Sequence, residues 1–469
     1  MVESFFYVVE TFSQWLWGPW TMAFIAFVSI YLTVKSRFFQ LRHFQFIFSH
    51  TFNRIFYKHK NSSASTISPF QATSASLAGT VGMGNMAGVA TALSIGGPGA
   101  IFWMWVMAFF GMITKAAEIS IAVHYREIDA EGNIHGGPMY YIRKALGWKT
   151  LTVFFSIGII INCIFTSSLL QAHTVGRALE ASYGINPYLT TSIMGLITMM
   201  VAIGGIRRIG RFCEALVPLM TLVYLMSGLL IVIANFSLIP QALGEILNYA
   251  FAPAPAIGGF AGAAVMTAIQ IGMARGMLSN EAGLGTAPMI HANAETEHPF
   301  QQGLWGAAEV FIDTTVVCTI TALIILCSGV LANGSSGIEL LLEGFATYYS
   351  PMAANAIISI AIVTFCLSTQ IGFFVYFETA LVDLFNQRIF GIIKWLYFLP
   401  GIIFAGITNV DQLWVLANIS VALSALPNLV ALLFLSGVFV KLMRDYMSGE
   451  KKYSTKLTDE NKQYIKVAE

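Results

Sequence analysis

The chain is a succession of apolar runs of about twenty residues with little between them, and few folds admit that pattern. A helix of that length spans the hydrocarbon layer of a bilayer. We count eleven such runs, near 18–36, 71–96, 98–124, 151–182, 187–206, 212–234, 254–276, 302–331, 352–381, 388–407 and 410–441. No polar stretch between them is long enough for a separate soluble domain. Hydrophobic residues make up 56% of the chain and charged residues 10%, where a water-soluble surface takes roughly a quarter charged. The expected class is therefore an all-α membrane protein. In lipid, each segment must satisfy its own backbone N–H and C=O groups.

The net charge of +1 says nothing about partners, but its distribution does. With the N-terminus outside, the inner loops carry Arg37, Arg42, Arg54, Lys58, Lys60, Arg126, Arg143, Lys144, Lys149, Arg207, Arg208, Arg211, Arg388, Lys394 and a Lys-rich tail. The outer loops around 183–187, 235–253, 332–351 and 408–410 contain no Lys or Arg, and Arg177 alone lies towards the outer side. Cytoplasmic loops are the basic ones, so this asymmetry supports both the count and a cytoplasmic C-terminus in a bacterial inner membrane. Trp20 to Val34 reads as a retained first span, with Trp15, Trp17 and Trp20 as interfacial anchors. The Phe38–Tyr57 segment reads as an amphipathic helix on the inner surface. Cys163, Cys213, Cys318, Cys327 and Cys366 all fall in apolar stretches without a CxxC pair. They read as small buried hydrophobes.

The second span holds Gly79, Gly82, Gly84 and Gly88 within ten residues, with Asn85 among them. Each glycine costs about 1 kcal/mol against alanine inside a helix. Close helix packing alone accounts for small residues, but a polar amide at that depth needs a partner. An unwound segment lining a cavity fits both, its free N–H groups suited to a carboxylate and its free carbonyls to a cation. The seventh span, from Gln270 through Arg275 and Gly276 to Gly285, reads as a second break. The two are five spans apart. An odd number returns a repeat with inverted topology, so spans two to six and seven to eleven read as inverted halves with a site at mid-membrane. The corresponding division is 1–70 for the first helix and surface segment, 71–235 and 236–441 for the repeats, and 442–469 for the tail.

The stretch Gly96-Gly97-Pro98-Gly99-Ala100-Ile101-Phe102-Trp103-Met104-Trp105, running to Gly111, resembles the signature of the alanine or glycine:cation symporters, the sodium:alanine family. Gly136-Gly137-Pro138-Met139-Tyr140-Tyr141, Arg275-Gly276 to Gly285, and Asp313-Thr314 with Val317-Cys318-Thr319 are similar to further family motifs. The resemblance covers nearly the whole chain. It implies a leucine-transporter-type core of ten helices in two inverted five-helix repeats, with broken first and sixth core helices, preceded by one extra helix. It also implies sodium-coupled uptake of small neutral amino acids, alanine or glycine, by alternating access. Residue by residue, it implies that Thr80, Met83, Gly84 and Asn85 meet substrate, with the amides of Met83 and Gly84 on its carboxylate. It further implies that Gln171 faces the substrate, that Ile271, Gly272 and Met273 line the opposite wall and that Phe373 borders the pocket, while Gln270 reads as a pocket group or as a helix-packing amide. Carbonyls of Ala78 and Val81, with hydroxyls of Ser368 and Thr369, form the implied sodium site, an oxygen set suited to a hard ion. Two departures lie near this pocket. Gln171-Ala172-His173 stands where many relatives have Gln-Ser-Asn, and Gly372-Phe373 where many have Gly-Trp.

Ionisable groups at membrane depth are rare and suggest function. His173 reads equally as a pH or substrate contact and as a neutral packing residue. Asp313, a turn from Glu309, reads as a structural or gating partner before a cation ligand. Lys115 and Glu118 read as a local ion pair, and Arg275 with Glu281 as a gate near the cytoplasm. No cofactor is expected beyond sodium as coupling ion. The expected partners are a small amino acid and membrane lipid, with no nucleic acid and no obligate protein. Against an enzyme stands the lack of a nucleophile with a base or of a metal motif. Against a channel stands the lack of charged rings or a repeated filter loop. Proton-coupled transport of another small amino acid is the alternative within the transporter class.

Overall fold

The computed structural model describes residues 2–54, 66–129, 132–252, 261–385, 387–406, 410–450 and 452–453. They are mostly helical, and the strand pairings among them are a short ladder of Glu127–Ile128 with Ile134–His135 and a lone bridge between Ile67 and Ala294. Seven helices among them are long and apolar enough to cross a membrane: Tyr7–Lys35, Gly99–His124, Lys149–Tyr183, Gly205–Ala234, Pro299–Ser328, Pro351–Leu384 and Gln412–Ser448. They fall on the first, third, fourth, sixth, eighth, ninth and eleventh expected spans. All five cysteines are free and buried.

The remaining expected spans are shorter or interrupted. The fifth is Pro187–Ala202. The second is two pieces. Its first helix, Pro69–Thr80, starts on a capping box in which Ser68 Oγ accepts from the Gln71 amide and the Gln71 side chain accepts from the Ser68 amide. The helix stops at Thr80, Val81 turns extended with ψ 97°, a π turn covers Gly84–Gly88, and Val89–Gly96 completes the crossing. The expected break is there.

The seventh span differs from expectation. Ala261–Asn280 is one continuous helix through Gln270–Gly276, while the expected start of the span at 254–260 lies outside the described residues. Gly272 and Gly276 serve helix packing. A Cβ on Gly272 would lie 2.3 Å from the Ala100 carbonyl oxygen, and one on Gly276 would lie 3.2 Å from Met107 Cβ. Four residues apart, they let the third span approach closely. The interruption comes after Asn280, where Glu281 (φ 56°), Gly283 (φ 90°) and Gly285 (φ 80°) are left-handed.

The tenth span also differs. It is broken into Gln387–Ile393, a 3₁₀ turn Lys394–Tyr397 and Leu399–Ile403. Pro400 lacks the N–H a continuous helix would use. The amphipathic surface segment forms two short helices, Phe39–Arg42 and Phe44–Thr51. They rest on the eighth span, with Phe39 against Phe300 and Phe44 against Phe311, each at 5.3 Å between ring centres. Residues 55–57 of that segment lie outside the described residues.

The third span is the molecule's axis, buried along most of its length. The seventh packs on it through the glycines above. The eighth does so through Gly303, where a Cβ would lie 2.6 Å from the Ala116 carbonyl oxygen. The ninth reaches the break in the second: a Cβ on Gly82 would lie 2.7 Å from Thr369 Oγ1, so a larger residue would displace the Thr369 side chain.

Candidate functional site: a pocket at the helix break

A helix that stops mid-membrane leaves its last carbonyls without amide partners. Here the Gly82 amide, which a continuing helix would aim at Ala78, instead donates to Asn85 Oδ1 at 2.9 Å. The Ala78 carbonyl faces Ser368 Oγ at 3.5 Å, and both Ser368 and Thr369 hydroxyls reach the Phe365 carbonyl, at 2.8 and 3.0 Å. Ala78, Ser368 and Thr369 thus meet at one place, with Val81 on the extended residue beside them. No cluster of three His, Cys, Asp or Glu side chains able to hold a metal occurs among the described residues. The assembled oxygens are carbonyls and hydroxyls.

Beside that corner is a cavity of about 30 Å³ lined by Gly79, Thr80, Gly82, Met83, Gly84, Asn162, Thr166, Leu170, Gln171, Leu278, Glu281, Leu284, Thr369, Phe373, Trp414 and Val421. A cavity needs only about 10–15 Å³ to hold one water, so this one takes a few atoms. Thr80, Met83, Gly84, Gln171 and Phe373 lie on it as expected from the resemblance. Asn85 is not among its lining residues. Fully buried, it ties the break to the seventh and eighth spans: Nδ2 donates to Asp313 Oδ1 at 2.7 Å and approaches Ser279 Oγ at 3.1 Å. Gln270, Ile271, Gly272 and Met273 do not line it either. On the continuous seventh helix, Gly272 faces the third span and Ile271 packs beside Gly96. Their place is taken by Leu278, Glu281 and Leu284 around the actual interruption.

Asn162 and Thr166 escaped the sequence reading. They flank and enter a π segment, Cys163–Leu169, that widens the fourth helix at the pocket. A signal existed in Asn162 itself, an amide closing the apolar run Ile159-Ile160-Ile161.

A second cavity of about 1270 Å³ lies on the other side of Met83 and Trp414, which line both spaces. It is bounded by Glu10, His173, Arg177, Glu180, Arg275, Glu339 and Gln412, among others, at the end of the molecule that carries residues 183–187 and 332–351. Arg275 therefore faces away from the expected cytoplasmic end. Its guanidinium sits 4.8 Å from the centre of the Trp414 ring. Glu281 instead accepts from Thr286 Oγ1 at 2.6 Å, and no ion pair joins Arg275 and Glu281 among the described residues. His173 is 1% exposed and lines the large cavity rather than the small one.

Deeper in the protein, the ionisable residues pair across helices. Lys115 Nζ lies 3.1 Å from Glu309 Oε2 and donates to the Asn280 carbonyl at 2.9 Å. Glu309 also accepts from Ser76 Oγ at 2.9 Å and meets His291 Nε2 at 2.7 Å, while His291 Nδ1 meets the Gln302 amide at 2.8 Å. The expected Lys115–Glu118 pair is replaced by this one. Glu118 holds Asn428 Nδ2 at 2.8 Å. Asp313 is satisfied by Asn85, by Ser279 Oγ at 2.5 Å and by Thr314 Oγ1 at 2.8 Å. Expected as a structural or gating partner, it is bonded to the second and seventh spans.

A broken helix with carbonyls and hydroxyls at one side of a small pocket is the geometry of a solute carrier, and comparison with known proteins agrees. The family model described as the sodium:alanine symporter family matches residues 2–460. The chain belongs to that family. It is 37% identical over 447 residues to the sodium/alanine symporter AgcS of Methanococcus maripaludis, covering 93% of this chain and 96% of that one. It is likewise 37% identical to YflA of Bacillus subtilis, described as an uncharacterized transporter, over 95% and 94% of the two chains. GlnT of Bacillus subtilis, described as a probable sodium/glutamine symporter, is 32% identical over 95% and 91%. Among solved structures, MhsT in complex with L-phenylalanine superposes with a TM-score of 0.56 at 12% identity, over 82% of this chain and 98% of that one. A manganese transporter of Eremococcus coleocola gives 0.52 at 14% identity, over 82% and 81%. These two share the leucine-transporter-type fold with the symporter-family chain. It is a multi-pass membrane transporter, not an enzyme.

Proposed function

We propose that this member of the sodium:alanine symporter family couples sodium entry to the uptake of small neutral amino acids, alanine or glycine, by alternating access. The observation that carries the reading is the roughly 30 Å³ pocket at the helix break, with Ala78, Ser368 and Thr369 oxygens at its edge. Its size supports a substrate of few atoms. A carboxylate at the free amides near Met83 and Gly84 would use the break as anion sites at helix ends do. Sodium at the Ala78, Val81, Ser368 and Thr369 oxygens would tie two segments together. Binding of the ion would then favour the arrangement that holds substrate.

In this reading the chain has eleven spans, with spans two to six and seven to eleven as inverted repeats. It sits in the bacterial inner membrane with its N-terminus outside, so the larger cavity opens outward and Met83 with Trp414 separates it from the pocket. Lipid surrounds the helices, and no protein partner is required. The test is uptake of labelled alanine into proteoliposomes under an inward sodium gradient, a proton gradient, or neither, with glycine, serine and glutamine as competitors. Accumulation driven by sodium and blocked by the small competitors supports the proposal. Accumulation driven by protons alone, or blocked best by glutamine, overturns its ion or its substrate respectively.

A further inference from the structure

Buried polar atoms in folded proteins nearly always have partners. Two that border the small pocket do not, and a carboxylate beside them is only partly engaged. Asn162 Nδ2 and Gln171 Oε1 are buried without a hydrogen-bond partner. Glu281 is 4% exposed, and its carboxylate gives one oxygen, Oε2, to Thr286 Oγ1. Its other oxygen, Oε1, has no partner among the described residues. All three residues line the same cavity. The fourth helix contributes two of them, and the left-handed turn that ends the seventh helix contributes Glu281.

The local folding shows why these groups are held open. Asn162 Oδ1 lies 3.3 Å from Ser420 Oγ, whose hydroxyl also donates to the Ala417 carbonyl at 2.7 Å, and Asn162 Nδ2 is left without a partner. Gln171 Nε2 is turned to the Thr166 carbonyl at 3.4 Å, leaving Oε1 as a free acceptor. Glu281 sits at φ 56°, a conformation a non-glycine residue adopts at a cost. That conformation lets the chain turn where Leu278, Glu281 and Leu284 border the pocket. The open set is one donor and two acceptors, one of them a carboxylate. A water would offer Glu281 only a neutral O–H, while a carboxylate at membrane depth is matched by a cationic group.

We propose that Glu281 and Asn162 are substrate-binding residues. Glu281, with Gln171, receives the ammonium group of the amino acid, and Asn162 donates to its carboxylate. The pocket then demands a zwitterion, and small size alone does not admit a ligand. This deepens the amino-acid transport reading and rests on it. Hydroxy acids of the same size, such as lactate in place of alanine, present a hydroxyl where Glu281 needs a cation, and are rejected.

The experiment measures competition of unlabelled alanine and lactate against labelled alanine, in sodium, on purified full-length protein. Wild type is expected to prefer alanine by about 100-fold or more, the scale of a lost charged hydrogen bond left unpaired. Glu281→Gln keeps the shape and the Thr286 contact. It is expected to weaken alanine by about 100-fold while lactate holds or improves, so the preference collapses to within about tenfold. Asn162→Leu is expected to weaken both ligands together by about tenfold, leaving the preference intact. Equal losses for both ligands in Glu281→Gln, or no loss of alanine, overturn the proposal. So does a change confined to the sodium requirement, which would make Glu281 an ion ligand. Where Glu281→Gln does not fold, Glu281→Asp reads the same ratio: a reduced preference supports the proposal and an unaltered one overturns it. If wild type binds no amino acid at all, the transport reading fails first and this inference falls with it. A wild type that binds alanine with an unaltered variant ratio removes the inference alone.

Discussion

Two groups of polar residues lie at membrane depth in this transporter, and they are finished differently. Around Glu309, the charged groups meet counterparts on other helices, Lys115 at 3.1 Å, His291 at 2.7 Å and Ser76 at 2.9 Å, and only Gln302 Oε1 beside His291 is left without a partner there among the described residues. Asp313 is equally complete, with Asn85, Ser279 and Thr314 as donors. Around the small pocket, Asn162 and Gln171 each keep an atom unmatched, and Glu281 accepts from Thr286 through one oxygen only among the described residues. In lipid an unmatched polar group is costly, so the first group is read as holding helices together and the second as waiting for a ligand. Polarity and depth do not separate the two; the whereabouts of the partner does.

The sharpest way to break that comparison is to remove one side of a completed pair. Lys115→Met leaves the Glu309 carboxylate to His291 and Ser76 without its ammonium partner, and is expected to destabilise the protein by about 3 kcal/mol. A large fall in thermal unfolding temperature in detergent would show it. The double change Lys115→Met with Glu309→Gln is expected to regain much of the loss. Gln171→Ala, by contrast, should leave the unfolding temperature nearly unchanged while weakening alanine binding. An equal loss of stability in both would erase the distinction.

Gly82→Ala comes next in size. Its Cβ would lie 2.7 Å from Thr369 Oγ1, so the Thr369 side chain must move from the break, and sodium-dependent uptake is expected to be lost with the protein still folded. Ser368→Ala is milder. Losing one hydroxyl is worth about 1 kcal/mol, read as a several-fold rise in the sodium concentration for half-maximal uptake with little change in alanine affinity at saturating sodium. Phe373→Trp, which fills part of the pocket, is expected to act on selectivity instead. Competition assays should show alanine weakened relative to glycine by about tenfold, the scale on which pockets discriminate a methyl group.

Much of this was legible before the structure. Apolar runs of fixed length announce spanning helices because the bilayer sets that length. The cluster Gly79, Gly82, Gly84, Gly88 announced the break in the second span. The same residue type misled at Gly272 and Gly276, since glycine serves close helix packing as well as unwinding. The true interruption after Asn280 is marked by Glu281, Gly283 and Gly285, and no spacing rule separates the two uses. The pairing of charges was legible only locally. Lys115 and Glu118 share a helix face, yet Lys115 pairs with Glu309, nearly two hundred positions on, because helix packing brings that carboxylate closer. Asn85 was read as a ligand for substrate, and the structure spends its amide on Gly82, Ser279 and Asp313. Which buried polar atoms are left over emerges only once every partner is known.

The most direct measurement is equilibrium binding of labelled alanine to the purified protein as sodium replaces potassium at constant ionic strength. The account predicts saturable binding that rises with sodium and is lost in potassium. Equal binding in potassium and sodium would contradict the coupling of the pocket to the Ala78, Ser368 and Thr369 oxygens beside it.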